Sequence, residues 1–241
     1  MLEMGLNDKL SLQIITAVVV IFLTLVILIL RSKRIGRKAV LLTGVCDSGK
    51  TLLFARLAHN KFIHTYTSVK ENLAYYRNEK GTLQLIDVPG NERVRNRYLD
   101  EYKSSARALV FVVDSCSIQK EIKDVAEYLY NLLTDKTVIN NCRNILILCN
   151  KQDVPMAKDA GVIKSLLEKE INTVRETKAS QLLSTDENSM DNRIKLGSPG
   201  QDFTFDQVLP KVQFAESFAV DKEDVGPNLD ELKKWLRAVS G

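Results

Sequence analysis

The segment GVCDSGKT, residues 44–51, most constrains what this chain can fold into. It fits the pattern G-x-x-x-x-G-K-[ST] at Gly44, Gly49, Lys50 and Thr51. Before it, KAVLLTG is an apolar, β-rich run that stops on a glycine. After it, GKTLLFARLAHNKF carries Leu52, Leu53, Leu57 and Ala58 at helical spacing. Strand, tight loop and helix start is the context in which such a loop cradles phosphate. The two glycines let the backbone bend around anionic oxygens and approach them closely. The amides of Asp47, Ser48, Gly49, Lys50 and Thr51, with Leu52 beside them, can point inward at the positive end of the helix. Lys50 would reach the outer phosphates, and the Thr51 hydroxyl would complete the coordination of Mg²⁺.

Two further motifs narrow the ligand. TLQLIDVPGNE, residues 82–92, is an apolar strand ending in Asp87-Val88-Pro89-Gly90. A carboxylate at Asp87 could hold Mg²⁺ through water, and the Gly90 amide could sense a terminal phosphate. Alone this is also what an ordinary Asp-Pro-Gly turn looks like. NILILCNKQD, residues 144–153, runs a buried strand into Asn150-Lys151-Gln152-Asp153. In that arrangement Asp153 accepts two hydrogen bonds from guanine, Asn150 steadies the loop and the Lys151 stem lies along the base. Adenine offers no matching donor pair and would leave the carboxylate unpaired. The three pieces in this order point to GTP or GDP with Mg²⁺.

The rest of the chain alternates in the same way. RALVFVVDS at 107–115 reads as a buried strand, and SIQKEIKDVAEYLYNLL as a helix. AGVIKSLLEKEINTVRET reads as the next helix, KVQFAESFAV at 211–220 as a last strand and GPNLDELKKWLRAV as a closing helix. The fold class is therefore α/β, a parallel sheet covered on both faces with its ligand at the carboxyl ends of the strands. Residues 179–207 are polar with Gly, Pro and Ser and read as a surface insertion. Trp235 shares a helix face with Leu232 and Leu236 and reads as core. His59 and His64 read as solvated surface. Arg93, Arg95 and Arg97 read either as a partner surface or as a plain solvated face.

The N-terminus has another character. Residues 10–30 hold no charge, long enough as a helix to span about 30 Å of hydrocarbon. The basic stretch RSKRIGRK follows the apolar run, unlike a cleaved signal, where it would precede. A transmembrane helix at 10–30 is expected, with residues 1–9 outside or lumenal, a basic linker at 31–37 and the nucleotide-binding domain at 38–240 in the cytosol. Residues 31–38 extend to at most about 25–30 Å, which keeps that domain at the bilayer surface, where the basic run can meet lipid headgroups. The net charge of +4 is mild and concentrated in this linker, so nothing demands nucleic acid as a partner. Four cysteines without metal spacing read as free thiols in a reducing compartment.

Gly44–Thr51, Asp87–Gly90 and Asn150–Asp153 in this order resemble the small-GTPase family over about residues 36–240, with its mostly parallel six-stranded sheet. The span before the loop, the stretch YKSSARALVFVVDS and the closing LDELKKWL helix are most similar to an Arf/Sar-like branch, the β subunits of the signal recognition particle receptor. The resemblance implies a G domain on the cytosolic face of the endoplasmic reticulum. Its GTP form would grip the receptor α subunit near translocon and ribosome for cotranslational targeting. The resemblance also assigns the Ala219 amide to the guanine O6. Three positions depart from the pattern. Asn91 stands where hydrolysing relatives carry a water-orienting Gln, so at most slow GTPase activity is implied. The Mg²⁺-ligating switch hydroxyl is Thr65, Thr67 or Ser68, with Thr67 and Ser68 favoured by spacing. Phe218-Ala219-Val220 replaces the usual Ser-Ala-Lys, which removes side-chain support for the base loop. A turnover enzyme timing a transport step by hydrolysis, or a tether that nucleotide merely stabilises, are the alternative readings.

Overall fold

The computed structural model describes residues 15–28, 37–184, 194–198, 200–221 and 226–241. The chain forms two compact units, divided between Arg37 and Lys38. In the first, residues 15–28 are helical (α1). Most of its apolar side chains are solvent-facing, from Val19 at 50% exposed to Phe22 at 67%. The other residues of the expected 10–30 span lie outside the described residues. Among the described residues, no helix is long and apolar enough to cross a membrane.

The second unit is built on six strands: β1 (Ala39–Thr43), β2 (Asn72–Asn78), β3 (Gly81–Asp87), β4 (Ala106–Asp114), β5 (Asn144–Asn150) and β6 (Lys211–Glu216). Their order is β2-β3-β1-β4-β5-β6. Only the β2–β3 hairpin is antiparallel. The central strands are near-continuous apolar runs because helices cover both faces, so neither side of the pleat meets water. On one face Val40, Leu42, Leu85, Val110 and Leu146 meet Leu53 and Phe54 of α2 (Lys50–His59), and Leu232, Trp235 and Leu236 of α7 (Asp230–Ser240). On the other, Leu41, Ile86, Phe111 and Ile147 meet α4 (Ile118–Thr134) and α6 (Ala160–Ser184). Alternation along each strand sends successive residues to these two layers. Trp235 is core as expected, 7% exposed.

Three segments differ from the sequence reading. The last strand ends at Glu216, and Phe218 makes only an isolated bridge to Asn228. Of the expected surface insertion at 179–207, residues 179–184 continue α6. Leu196, Phe203 and Phe205 are buried in the core, with Phe203 and Phe205 edge to face at 5.2 Å. The polar composition of the stretch hid these side chains, because three apolar residues separated by Gly, Pro and Asp carry no periodicity. Arg95, on α3 (Glu92–Tyr102), is not a plain solvated face, since its side chain is 13% exposed and its guanidinium lies 4.2 Å over the Tyr128 ring.

Local chemistry fixes how α4 ends and α5 (Lys136–Asn141) begins. Asp135 caps α5 by accepting hydrogen bonds from the amides of Thr137 (2.8 Å) and Val138 (2.9 Å), and it also accepts from Lys103 at 2.7 Å. Burial pushes its carboxyl pKa up. The Lys103 ammonium and the two amides outweigh burial and hold it below the ordinary value of 3.8. A carboxylate depressed in the folded state stabilises above its unfolded pKa, and that stability is lost as pH falls through the folded one. Asp135→Ala should therefore cost about 1 kcal/mol in urea unfolding at pH 7, and the difference should shrink as pH drops below about 4.

Candidate functional site

Parallel register gathers the three motifs at one edge of the sheet. Leu42 pairs with Asp87 across β1 and β3, and Asp114 pairs with Asn150 across β4 and β5. The strands thus end together, and the loops that leave them converge. Lys50, Thr51, Asp47, Gly49, Gly90, Thr65, Thr67 and Ser68 line one cavity there with Cys46, Tyr66 and Val88.

Glycines in and beside the phosphate loop leave no room for a side chain. Gly49 has φ +91°, and a Cβ on it would collide with the Asn150 amide nitrogen. A Cβ on Gly90 would lie 2.8 Å from Lys50 Nζ and 2.9 Å from the Cys46 amide nitrogen. The strand-end glycine thus abuts the phosphate loop itself, which is why its amide can report on a group held there. Lys50 folds back over the loop. Its Nζ donates to the Val45 carbonyl at 2.6 Å and to Ser48 Oγ at 3.2 Å, and the residue is 5% exposed. Burial pushes the Lys50 pKa down, against the opposing charge of Asp87.

Asp87 is fully buried at the end of β3. Its Oδ2 accepts from Thr51 Oγ1 at 2.8 Å and from Asn72 Nδ2 at 2.9 Å. Its Oδ1 is buried without a hydrogen-bond partner among the described residues. Burial pushes its carboxyl pKa up, opposed by the bonds from Asn72 and Thr51. Lys50 and Asp87 therefore each sit where their own charge is under-compensated, as at sites that receive a charged ligand. Anionic phosphate beside Lys50 and a divalent cation beside Asp87 would relieve both. The oxygens available suit Mg²⁺: a carboxylate with a spare Oδ1, the Thr51 hydroxyl and, 3.0 Å from it, the Ser68 hydroxyl. Among the three switch candidates, Ser68 touches Thr51, while Thr65 and Thr67 line the cavity without a bond to it.

The third motif is locked to the first. Asn150 Nδ2 donates to the Ser48 carbonyl at 2.9 Å, while its Oδ1 accepts from Ser217 Oγ at 3.2 Å. Lys151 takes a left-handed φ of +66° and pairs with Asp114 at 2.7 Å. Gln152 Nε2 bridges Ser115 Oγ and the Lys158 carbonyl, which fixes the turn that carries Asp153. Ala219 is 3% exposed, and its carbonyl accepts from Arg56 Nε at 3.0 Å. Asn91 is engaged elsewhere: its Oδ1 caps α3 by accepting from the Arg93 amide at 3.0 Å.

Sequence reasoning missed Ser217, Asn72 and Arg56. None lies in a motif, and each acts on a residue distant in sequence, so only the strand register reveals them. Ser217→Ala removes the second hold on Asn150. It should weaken guanine-nucleotide binding by about two- to tenfold, the range of one hydrogen bond, in a fluorescent-nucleotide displacement titration.

The comparisons with known proteins agree with this geometry. The family model described as signal recognition particle receptor beta subunit matches residues 36–212. The human signal recognition particle receptor subunit beta is 45% identical over 99% of this chain and 90% of its own length. A structure of the mammalian SRP receptor superposes with a TM-score of 0.72 at 44% identity, covering 83% of this chain and 99% of that one. The SRb-GTP/SRX complex from Chaetomium thermophilum shares the fold, with a TM-score of 0.56 at 21% identity, over 84% of this chain and 96% of that one. With its loop, sheet order and near full-length likeness, the chain belongs to the β-subunit family of the signal recognition particle receptor.

Proposed function

We propose that this chain is the GTP-binding β-type subunit of a signal recognition particle receptor, anchored in the endoplasmic reticulum membrane, whose nucleotide state governs docking of the receptor α subunit. The observation that carries the reading is a glycine-lined cavity bordered by the buried Lys50 and by Thr51, whose hydroxyl donates to the buried Asp87, a carboxylate with one oxygen unpartnered among the described residues. Asp47, Ser48, Gly49, Lys50, Thr51 and Leu52 hold the phosphates through backbone amides and the Lys50 ammonium. Thr51, Ser68 and Asp87 hold Mg²⁺, which neutralises phosphate charge when bound. Asn150, Lys151, Asp153 and the Ala219 amide hold guanine.

The switch lies in the loop between α2 and β2. Gly90 abuts Lys50, and Ser68 abuts Thr51, so a terminal phosphate and its cation would draw both loops inward together. Loss of that phosphate would release them. The surface that changes is apolar and solvent-facing: Tyr66 is 90% exposed and Val69 72%. A protein partner is the natural reader of such a surface.

Hydrolysis by this chain alone is slow. The side-chain oxygen of Asn91 is committed to capping α3, and Asn is one methylene shorter than the Gln that orients water in hydrolysing relatives. This favours a switch over a turnover enzyme. Residues 10–30 form the span, and the basic residues 31–37 hold the domain at the cytosolic surface, beside lipid and close to translocon and ribosome.

The test is a titration of the purified receptor α subunit against the full-length chain loaded with GTP, loaded with GDP, or stripped of nucleotide. Binding at least tenfold tighter in the GTP form is expected. Equal binding in all three states would leave the nucleotide a structural role only.

A further inference from the structure

We propose that Arg56 is the positioning residue of the base-binding loop, supplying from α2 the support that Phe218-Ala219-Val220 lacks in its own side chains. The inference rests on the guanine reading above and adds a specificity role to a residue outside every motif. Arg56 lies in the same helix that begins with Lys50 and Thr51, and it is 8% exposed. Its Nε donates to the Ala219 carbonyl at 3.0 Å, and its Nη2 donates to Asp221 at 2.6 Å. Its guanidinium also stands 5.4 Å from the centre of the Phe62 ring.

The planar fork matters here. Two donors in fixed relation engage two acceptors two residues apart, so the chain from 219 to 221 is held in one conformation, which a single point charge would not impose. On the other side, the Phe218 amide donates to the Asn228 carbonyl at 3.1 Å. The Ala219 peptide nitrogen lies between these two anchors, one on the residue before it and one on its own carbonyl. Asp221 is 55% exposed, so the ion pair adds little stability by itself. What it adds is direction. Because the fork springs from α2, the base loop is also tied to the helix that presents the phosphate ligands, and base and phosphates are met by one rigid unit.

The test compares GDP with 6-thio-GDP, which differ only at the atom the Ala219 amide meets. Affinities for full-length wild type, Arg56→Met and Asp221→Asn are measured by displacement of a fluorescent nucleotide. Wild type should prefer GDP. Arg56→Met should narrow that preference by about two- to tenfold, with Asp221→Asn shifting it in the same direction by less. A purely structural Arg56 would weaken both nucleotides equally and leave the ratio unchanged, and this result overturns the proposal. So does a wild type that binds both nucleotides equally, because O6 is then not read. Should Arg56→Met fail to fold, Asp221→Asn decides by the same ratio, since Asp221 is a half-exposed surface residue. A wild type that binds no GDP at all refutes the guanine reading itself, a failure distinct from the others.

Discussion

The structure turns on two buried groups of opposite charge, Lys50 and Asp87, that the protein compensates only in part. Lys50 lines the phosphate-loop cavity, Asp87 lies buried behind Thr51 of that cavity, and burial acts against the ionised form of each. A protein built only for stability would replace such groups with apolar ones. Here the surrounding architecture keeps them. β1 ends in a glycine loop, α2 starts on Lys50, and β3 delivers Asp87 beside the Thr51 hydroxyl. A ligand of complementary charge, such as the Mg²⁺-bound phosphate chain proposed above, would relieve both groups.

Around that pair, connections run from the phosphate loop into every neighbouring element. Asn150 ties it to the end of β5, and Ser217 ties Asn150 to the chain after β6. Tyr128 of α4 shares a 2.5 Å hydrogen bond with Thr43, the residue before Gly44, while its ring carries the Arg95 guanidinium of α3. The helix that follows Gly90 is thereby linked to the strand that precedes the phosphate loop. α3 is thus connected to the phosphate loop both through Gly90 and through this ring.

Most of this was legible in the sequence because it is local. GVCDSGKT, DVPG and NKQD each declare a strand end, and apolar runs between them declare a sheet buried on both faces. The helices were legible from spacing, as with Leu232, Trp235 and Leu236 on one face. What was not legible depends on tertiary meeting. Arg56 looked like an ordinary charged position on an amphipathic helix, and only the β6 crossover brings Ala219 to it. Arg95 read as either a partner surface or a solvated face, and only α4 brings Tyr128 beneath it. Phe203 and Phe205 sit in a polar stretch, and their burial follows from where α6 leaves the chain rather than from any pattern. Spacing favoured Thr67 and Ser68 over Thr65 but could not separate Ser68 from Thr67, because the loop that carries them is irregular.

The central claim is that guanine nucleotide with Mg²⁺ completes this site. The most direct measurement is the thermal unfolding of nucleotide-stripped, full-length protein with Mg²⁺ alone, with Mg²⁺ and GDP, and with Mg²⁺ and ADP. At a concentration one hundred times its Kd, a ligand stabilises a fold by about 2.7 kcal/mol. The account expects a rise in Tm of several degrees with GDP and none with ADP at equal concentration. Equal shifts with both nucleotides, or no shift with either, would contradict it.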